Sequence, residues 1–271
     1  MKELLRTVIA DQLQLGWRET NVTREIADQM VFGKGLVVIT GIRRCGKSTL
    51  LHQIRSMVKE KDFYLNFDDE RLIHFKVEHF QVLHELFIEL FGEQKTFYFD
   101  EIQNIDGWER FIRRLDDYGY KIFLTGSNAR MLSRELGTHL TGRYIQMELF
   151  PFSFSEYLDW SHAALTEVEI SSTAGKAKAA RLFNEYFTSG GFPAFLESTN
   201  DQYLKSLYES ILYRDVMVRN NLTNEKELLE LVYYLASNVS KLSSNNSLTR
   251  VIGVKNATPS KTILGSFRIP I

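Results

Sequence analysis

The stretch Gly41-Ile42-Arg43-Arg44-Cys45-Gly46-Lys47-Ser48, with Thr49 next, constrains this chain more than any other. It fits the spacing G-x-x-x-x-G-K-[ST], which works only as a turn between a buried strand and a helix. Both flanks comply. Gly35 to Thr40 is a short, β-branched apolar run of the kind that forms a strand buried on both faces. A helical pattern runs from Lys47 to about Lys59. The glycines let backbone N–H groups turn inward around phosphate oxygens, and the helix N-terminus adds a favourable dipole. Lys47 is expected at the β- and γ-phosphates of a nucleotide and the Ser48 hydroxyl at Mg²⁺. Arg43, Arg44 and Thr49 complete the phosphate-binding segment, and Cys45 reads as a small filler within it.

A second feature lies about fifty residues on. Phe97-Tyr98-Phe99 is an apolar strand ending in Asp100-Glu101. The first acid is placed to hold Mg²⁺, and the second to orient or deprotonate an attacking water. The same pair also suits the N-cap of the next helix. Further strands are expected at Phe63–Phe67, Lys121–Thr125 and Arg143–Leu149, separated by helical patterns at Val77–Phe91, Trp108–Tyr118 and Ala129–Leu136. Alternation of this kind means a parallel sheet covered on both faces. Lys121–Thr125 runs into Gly126-Ser127-Asn128, so Ser127 or Asn128 is the candidate sensor of the γ-phosphate.

The character changes after Pro151, beyond which only helices are expected. Ser161 to Ala180 reads as a loop-containing or marginal segment, Gly190-Gly191-Phe192-Pro193 as a turn, and Asp201 to Arg219 as a helix. Boundaries are placed near 155 and 223. The domains expected are 1–155, with a helix in its first 30 residues, a helical lid at 156–223, and 224–271. The single cysteine excludes a disulfide framework and fits a reducing compartment. No apolar run approaches 18 residues and no secretory h-region opens the chain, so a cytoplasmic protein without membrane spans is expected. His84-Glu85 begins a zinc-protease helix motif, but Ile88 stands where its second histidine belongs. Net charge is −1, unevenly spread. After Glu230 there are five basic residues (Lys241, Arg250, Lys255, Lys261 and Arg268) and no acidic one.

The strings GIRRCGKSTLL, YLNFDDERL, FYFDEIQNIDGWERFIRRL, FLTGSNARMLSRELGTHLTGRY and ELFPFSFSEYL resemble the prokaryotic AAA-type ATPases that carry a C-terminal domain of unknown function. These are akin to archaeal and signal-transducing ATPases. The resemblance covers about Leu36 to Thr258. It implies an α/β P-loop core with a five-stranded parallel sheet of order 5-1-4-3-2, then a helical lid and a partial winged helix. It implies ATP and Mg²⁺ as ligands, Lys47 and Ser48 on the phosphates and metal, Asp100 as the Mg²⁺ acid, Glu101 as catalytic base, and Ser127 or Asn128 as first sensor. Arg143 matches the family's Gly-Arg and is implied to face a γ-phosphate in cis or in trans; the competing reading is an ordinary ion pair. A winged helix at 224–271 gives double-stranded DNA, through residues 241–268, as one candidate partner. A protein partner or a second copy of the chain are others. Relatives continue beyond residue 271, so a truncated C-terminus is expected.

ATP hydrolysis coupled to a C-terminal interaction module is thus the first expectation. A slow nucleotide-gated switch or scaffold is the alternative. A small-molecule kinase is disfavoured by the Asp100-Glu101 pair.

Overall fold

The computed structural model describes residues 1–15, 22–27, 35–126, 142–218, 222, 224–239 and 241. The chain divides into two compact units, residues 1–199 and 200–271. The segment expected as one lid, 156–223, contributes to both.

In the first unit, among the described residues, five strands form one sheet. They are β1 (Leu36–Gly41), β2 (Tyr64–Asn66), β3 (Thr96–Asp100), β4 (Lys121–Gly126) and β5 (Tyr144–Leu149). The order is β2-β3-β4-β1-β5 and every pairing is parallel, as the resemblance implied. Parallel pairing brings all carboxyl ends to one edge: Gly41 pairs with Leu149, and Asn66 with Asp100. Ligands of open α/β sheets bind at that edge.

Alternation along the strands feeds two cores. Leu36, Val38, Phe97, Phe99, Ile122 and Leu124 face one side, under α1 (Lys2–Gln14), α3 (Phe80–Phe91) and α4 (Trp108–Asp117). Val37, Ile39, Tyr98 and Phe123 face the other, against Leu50, Leu51 and Ile54 of α2 (Lys47–Ser56). The first core is aromatic. Phe80 stacks on Phe111 at 4.5 Å and Phe63 on Phe87 at 5.1 Å, geometries that add attraction beyond area burial.

Asp69 opens a 3₁₀ turn, Glu70–Leu72, after β2. Its side chain accepts from the Arg71 amide there. Ser161 to Ala180 is more ordered than expected. It carries α6 (Glu167–Ser171) and the first half of α7 (Thr173–Ser189), after α5 (Phe154–Trp160). The reason is local. Thr166 and Glu169 form a reciprocal capping box, Ser172 caps Gly175, and the alanines of α7 have the highest helix propensity. The expected turn at Gly190 is present and leads into α8 (Pro193–Ser198).

In the second unit, α9 (Asp201–Ser210) continues as a π-helical stretch, Ile211–Val218, where one uninterrupted α-helix was expected. With α10 (Glu225–Ser237) it encloses a small core of Leu212, Val216, Leu228 and Leu231. Most of the region expected as a winged helix, 224–271, lies outside the described residues, as does the helix expected at Ala129–Leu136.

A titratable group, the half-buried His52 of α2, packs against the Tyr64 ring at the margin of the second core. Burial, with the Arg55 guanidinium beside it, brings the His52 pKa down to about 3. The unfolded chain binds a proton there near pH 6.5, and the folded chain only near pH 3. Between these values the unfolded state holds more protons, so stability falls as pH falls, by up to roughly 1.4 kcal/mol per pH unit. Urea denaturation between pH 7 and 4 should show this slope, reduced in His52→Gln. An unchanged slope would exclude His52 as its source.

Candidate nucleotide-phosphate site

The phosphate loop leaves β1 at Gly41 and enters α2 at Lys47. Gly41 presses against the exit of β5. A Cβ there would collide with the Leu149 carbonyl oxygen and stand 2.9 Å from the Cys45 sulfur. Gly46, the N-cap of α2, has φ +101°, a conformation that L side chains rarely adopt. The loop is closed by the Cys45 amide, which donates to the Ile42 carbonyl at 3.3 Å. Burial pushes the Cys45 thiol up, so it stays a neutral filler. Lys47 is buried, with Nζ donating to the Ile42 carbonyl at 3.3 Å. Arg44 is exposed, in the left-handed region at φ +67°, while Arg43, Ser48 and Thr49 are half-buried.

Asp100 lies at the carboxyl end of β3, 1% exposed. Its Oδ1 accepts from the Thr125 hydroxyl. Its Oδ2 is buried without a hydrogen-bond partner. Burial pushes the carboxyl up; the Thr125 and Ser48 hydroxyls hold it down, Glu101 adds an upward push, and the Lys47 ammonium opposes it. A buried, unpartnered carboxylate oxygen close to a serine hydroxyl is a donor set that suits Mg²⁺, which takes oxygen ligands and few protein groups. The residues present therefore fit the metal that the resemblance implied.

Glu101 leaves the strand in the left-handed region, φ +52° and ψ +41°. Its amide donates to Thr125 Oγ1 at 3.1 Å, and its Oε2 accepts from the Gln103 amide. One hydroxyl thus donates to the first acid and accepts from the backbone of the second. Thr125 was not singled out in the sequence. The available signal was a polar residue at the end of an otherwise apolar strand, one register step past the Phe99–Leu124 pair.

Ser127 and Asn128 follow β4 directly but lie outside the described residues. Arg143 is elsewhere. It precedes β5, whose first residue pairs with Leu36 at the amino end of the sheet. Five residues of strand, roughly 17 Å, separate that end from the phosphate loop. Its guanidinium is half-exposed and paired with Asp117 at 2.5 Å and Asp116 at 3.7 Å. Of the readings left open for Arg143, the ion pair is the one present, and strand direction carries the residue away from its own chain's phosphate loop.

Residues 33–158 match the AAA domain family, and residues 180–264 match a domain of unknown function. The chain carries an AAA domain. An uncharacterized protein of Methanocaldococcus jannaschii is 36% identical over 232 residues, which are 84% of this chain and 52% of that protein. Another from Haemophilus influenzae is 31% identical over 226 residues, 79% of this chain and 54% of its own. The chain spans about half the length of the curated relatives it matches. Among solved structures, a signal transduction ATPase with a tetratricopeptide repeat sensor from Pyrococcus horikoshii is 17% identical, with a TM-score of 0.40. The match covers 93% of this chain and 41% of that one. Among the described residues of this AAA protein, no helix is long and apolar enough to cross a membrane, and no group of three or more His, Cys, Asp or Glu is placed to hold a metal ion.

Thr125→Val should remove both of its hydrogen bonds while preserving shape. Leaving Asp100 Oδ1 buried and unpaired costs about 1–3 kcal/mol. Thr125→Ser keeps the hydroxyl and should retain most of that stability in thermal denaturation. Equal loss in both variants would show that the methyl, not the hydroxyl, matters.

Proposed function

We propose that this AAA domain binds ATP with Mg²⁺ and hydrolyses it to ADP and phosphate, coupling nucleotide state to a C-terminal interaction module. The observation that carries this reading is Asp100 Oδ2, buried without a partner at the sheet edge where the phosphate loop begins. The loop's N–H groups and Lys47 bind the phosphates and offset their charge. Ser48 and Asp100 hold the metal, which when bound adds positive charge on the phosphate oxygens. Glu101 orients the attacking water and accepts its proton. Ser127 or Asn128 would contact the γ-phosphate from the end of β4. Arg143, facing away from its own loop, would serve a γ-phosphate only in a second copy of the chain.

One observation favours the alternative of a slow nucleotide-gated switch: the Gln103 amide already occupies a Glu101 carboxylate oxygen. The interaction module is placed at the C-terminal region on its charge, five basic residues without an acidic one. Double-stranded DNA, contacted by residues 241–268 in a winged helix, is the partner that this charge suits best.

Mg²⁺-dependent ATP turnover decides between the readings. Glu101→Gln should still bind ATP and lose turnover by about 10²–10⁴-fold. Lys47→Ala should barely bind. Wild-type turnover no greater than that of Glu101→Gln would replace hydrolysis with the switch. Duplex DNA added to the same assay should stimulate turnover, and no effect would remove DNA as the partner. Arg143→Ala should leave ATP affinity unchanged and lower turnover only where turnover rises with protein concentration.

A further inference from the structure

The segment before β1 carries a residue that the motifs do not include. Arg24 is 4% exposed, and its guanidinium reaches three acceptors. Nε donates to Glu156 Oε1 at 2.8 Å, Nη1 to the Cys45 carbonyl at 3.0 Å, and Nη2 to the Phe150 carbonyl at 2.6 Å. The Phe152 ring packs 5.2 Å from the guanidinium carbon. Glu156 is equally committed. Its Oε1 also accepts from the Glu25 amide at 3.2 Å, and its Oε2 from the Ser153 amide at 2.9 Å, closing the capping box of α5. Gln53 of α2 holds the same segment, accepting from the Arg24 amide at 3.1 Å and donating to the Val22 carbonyl at 2.7 Å.

The bond to Cys45 bears on phosphate binding. In a trans peptide the C=O of one residue and the N–H of the next point in opposite directions. Fixing the Cys45 carbonyl therefore fixes the direction of the Gly46 N–H, one of the loop groups that must face phosphate. A buried carbonyl without a donor would rotate in search of one and take that N–H with it. Lysine could not replace the arginine, because three acceptors in different directions need the planar fork.

We propose that Arg24 is a positioning residue for the phosphate loop, and that its buried pair with Glu156 ties the loop's shape to α5. This rests on the reading of the loop as an ATP site. Nucleotide in the loop and the placement of α5 are then linked through one guanidinium.

The test removes both charges together, Arg24→Met with Glu156→Gln, because a buried ion pair replaced as a unit is often neutral for stability. The glutamine oxygen keeps an acceptor for the segment. ATP affinity is measured by calorimetry with Mg²⁺, beside wild type and Lys47→Ala, together with the thermal midpoint of each protein. The double variant should stay folded, with a midpoint lowered by the Cys45 and Phe150 carbonyls left without a donor, and bind ATP about tenfold more weakly or worse, the loss of one hydrogen bond from a charged donor. In turnover, KM should rise by the same factor while kcat, set by Asp100, Glu101 and Thr125, holds. A merely structural role would lower the midpoint and leave affinity unchanged. If the double variant does not fold, hydrogen exchange on the wild type replaces it. ATP should then slow exchange in residues 22–25 and 153–157, and not in Lys47→Ala. Protection confined to the loop overturns the proposal, as does unchanged affinity in a folded double variant. Wild type that binds no better than Lys47→Ala takes down the ATP reading and this inference together. Wild type that binds, with a double variant that binds equally, takes down only Arg24.

Discussion

The close approach of the phosphate loop to the end of β5 is the constraint on which the site depends. Gly41 has no Cβ, so its backbone can lie against the Leu149 carbonyl. That contact fixes where β5 stops and where Phe150 turns away. It also leaves the Cys45 carbonyl buried behind the loop, with the part-buried Phe150 carbonyl within reach of the same guanidinium. Both acceptors need donors. Arg24 supplies both, and Glu156 balances its charge at 2.8 Å. A pair buried this deeply is weak evidence for net stability, since desolvation cancels much of the attraction. Its value lies in geometry: three separate segments must come together before either charge is satisfied.

The sheet answers the complementary demand that chemistry sit at one edge. Parallel strands buried on both faces are nearly pure apolar runs, and only their last residues can be polar. Asp100 and Thr125 hold such positions on adjacent strands, and their side chains meet. The same rule explains why Arg143 cannot join them. It stands at the other end of a parallel strand, where an ion pair with Asp116 and Asp117 accounts for it.

Much of this was legible in the sequence because the signals are local. The phosphate loop, β3 with its acids, and the strands of the alternation each depend on a few neighbouring residues, and the structure places the five strands within a residue of expectation, while α2 ends at Ser56 rather than near Lys59 and the helix expected at Ala129–Leu136 lies outside the described residues. The readings that failed needed information from farther away. Thr125 matters because of strand register with Asp100, which no local pattern encodes. Arg24 and Glu156 are separated by 132 positions. Each alone reads as an ordinary surface charge. The order between 167 and 180 was underestimated for another reason: the Ala, Ser and Thr of that segment read as marginal, whereas Thr166 and Ser172 cap helices. For Arg143 the sequence left an ion pair and a phosphate contact both open, because the partners Asp116 and Asp117 lie 26 and more positions away.

Glu101 shows how the same geometry bears on rate. A non-glycine residue in the left-handed region is strained by about 1–3 kcal/mol and persists only where its surroundings enforce it. Here the enforcement is visible: Thr125 accepts from the Glu101 amide, and the following 3₁₀ turn, Ile102–Asn104, begins at once. The backbone kink therefore does not depend on a ligand, and the carboxylate is delivered to the sheet edge in advance. What is not fixed in advance is the side chain. The side-chain amide of Gln103, two residues on, donates to the carboxylate, a contact between flexible groups. A water that competes successfully for that oxygen would find a base already placed, while one that does not would leave ATP bound and intact. On the proposed ATP reading, hydrolysis and switching would then differ in how readily water displaces the Gln103 amide from Glu101, and not in fold.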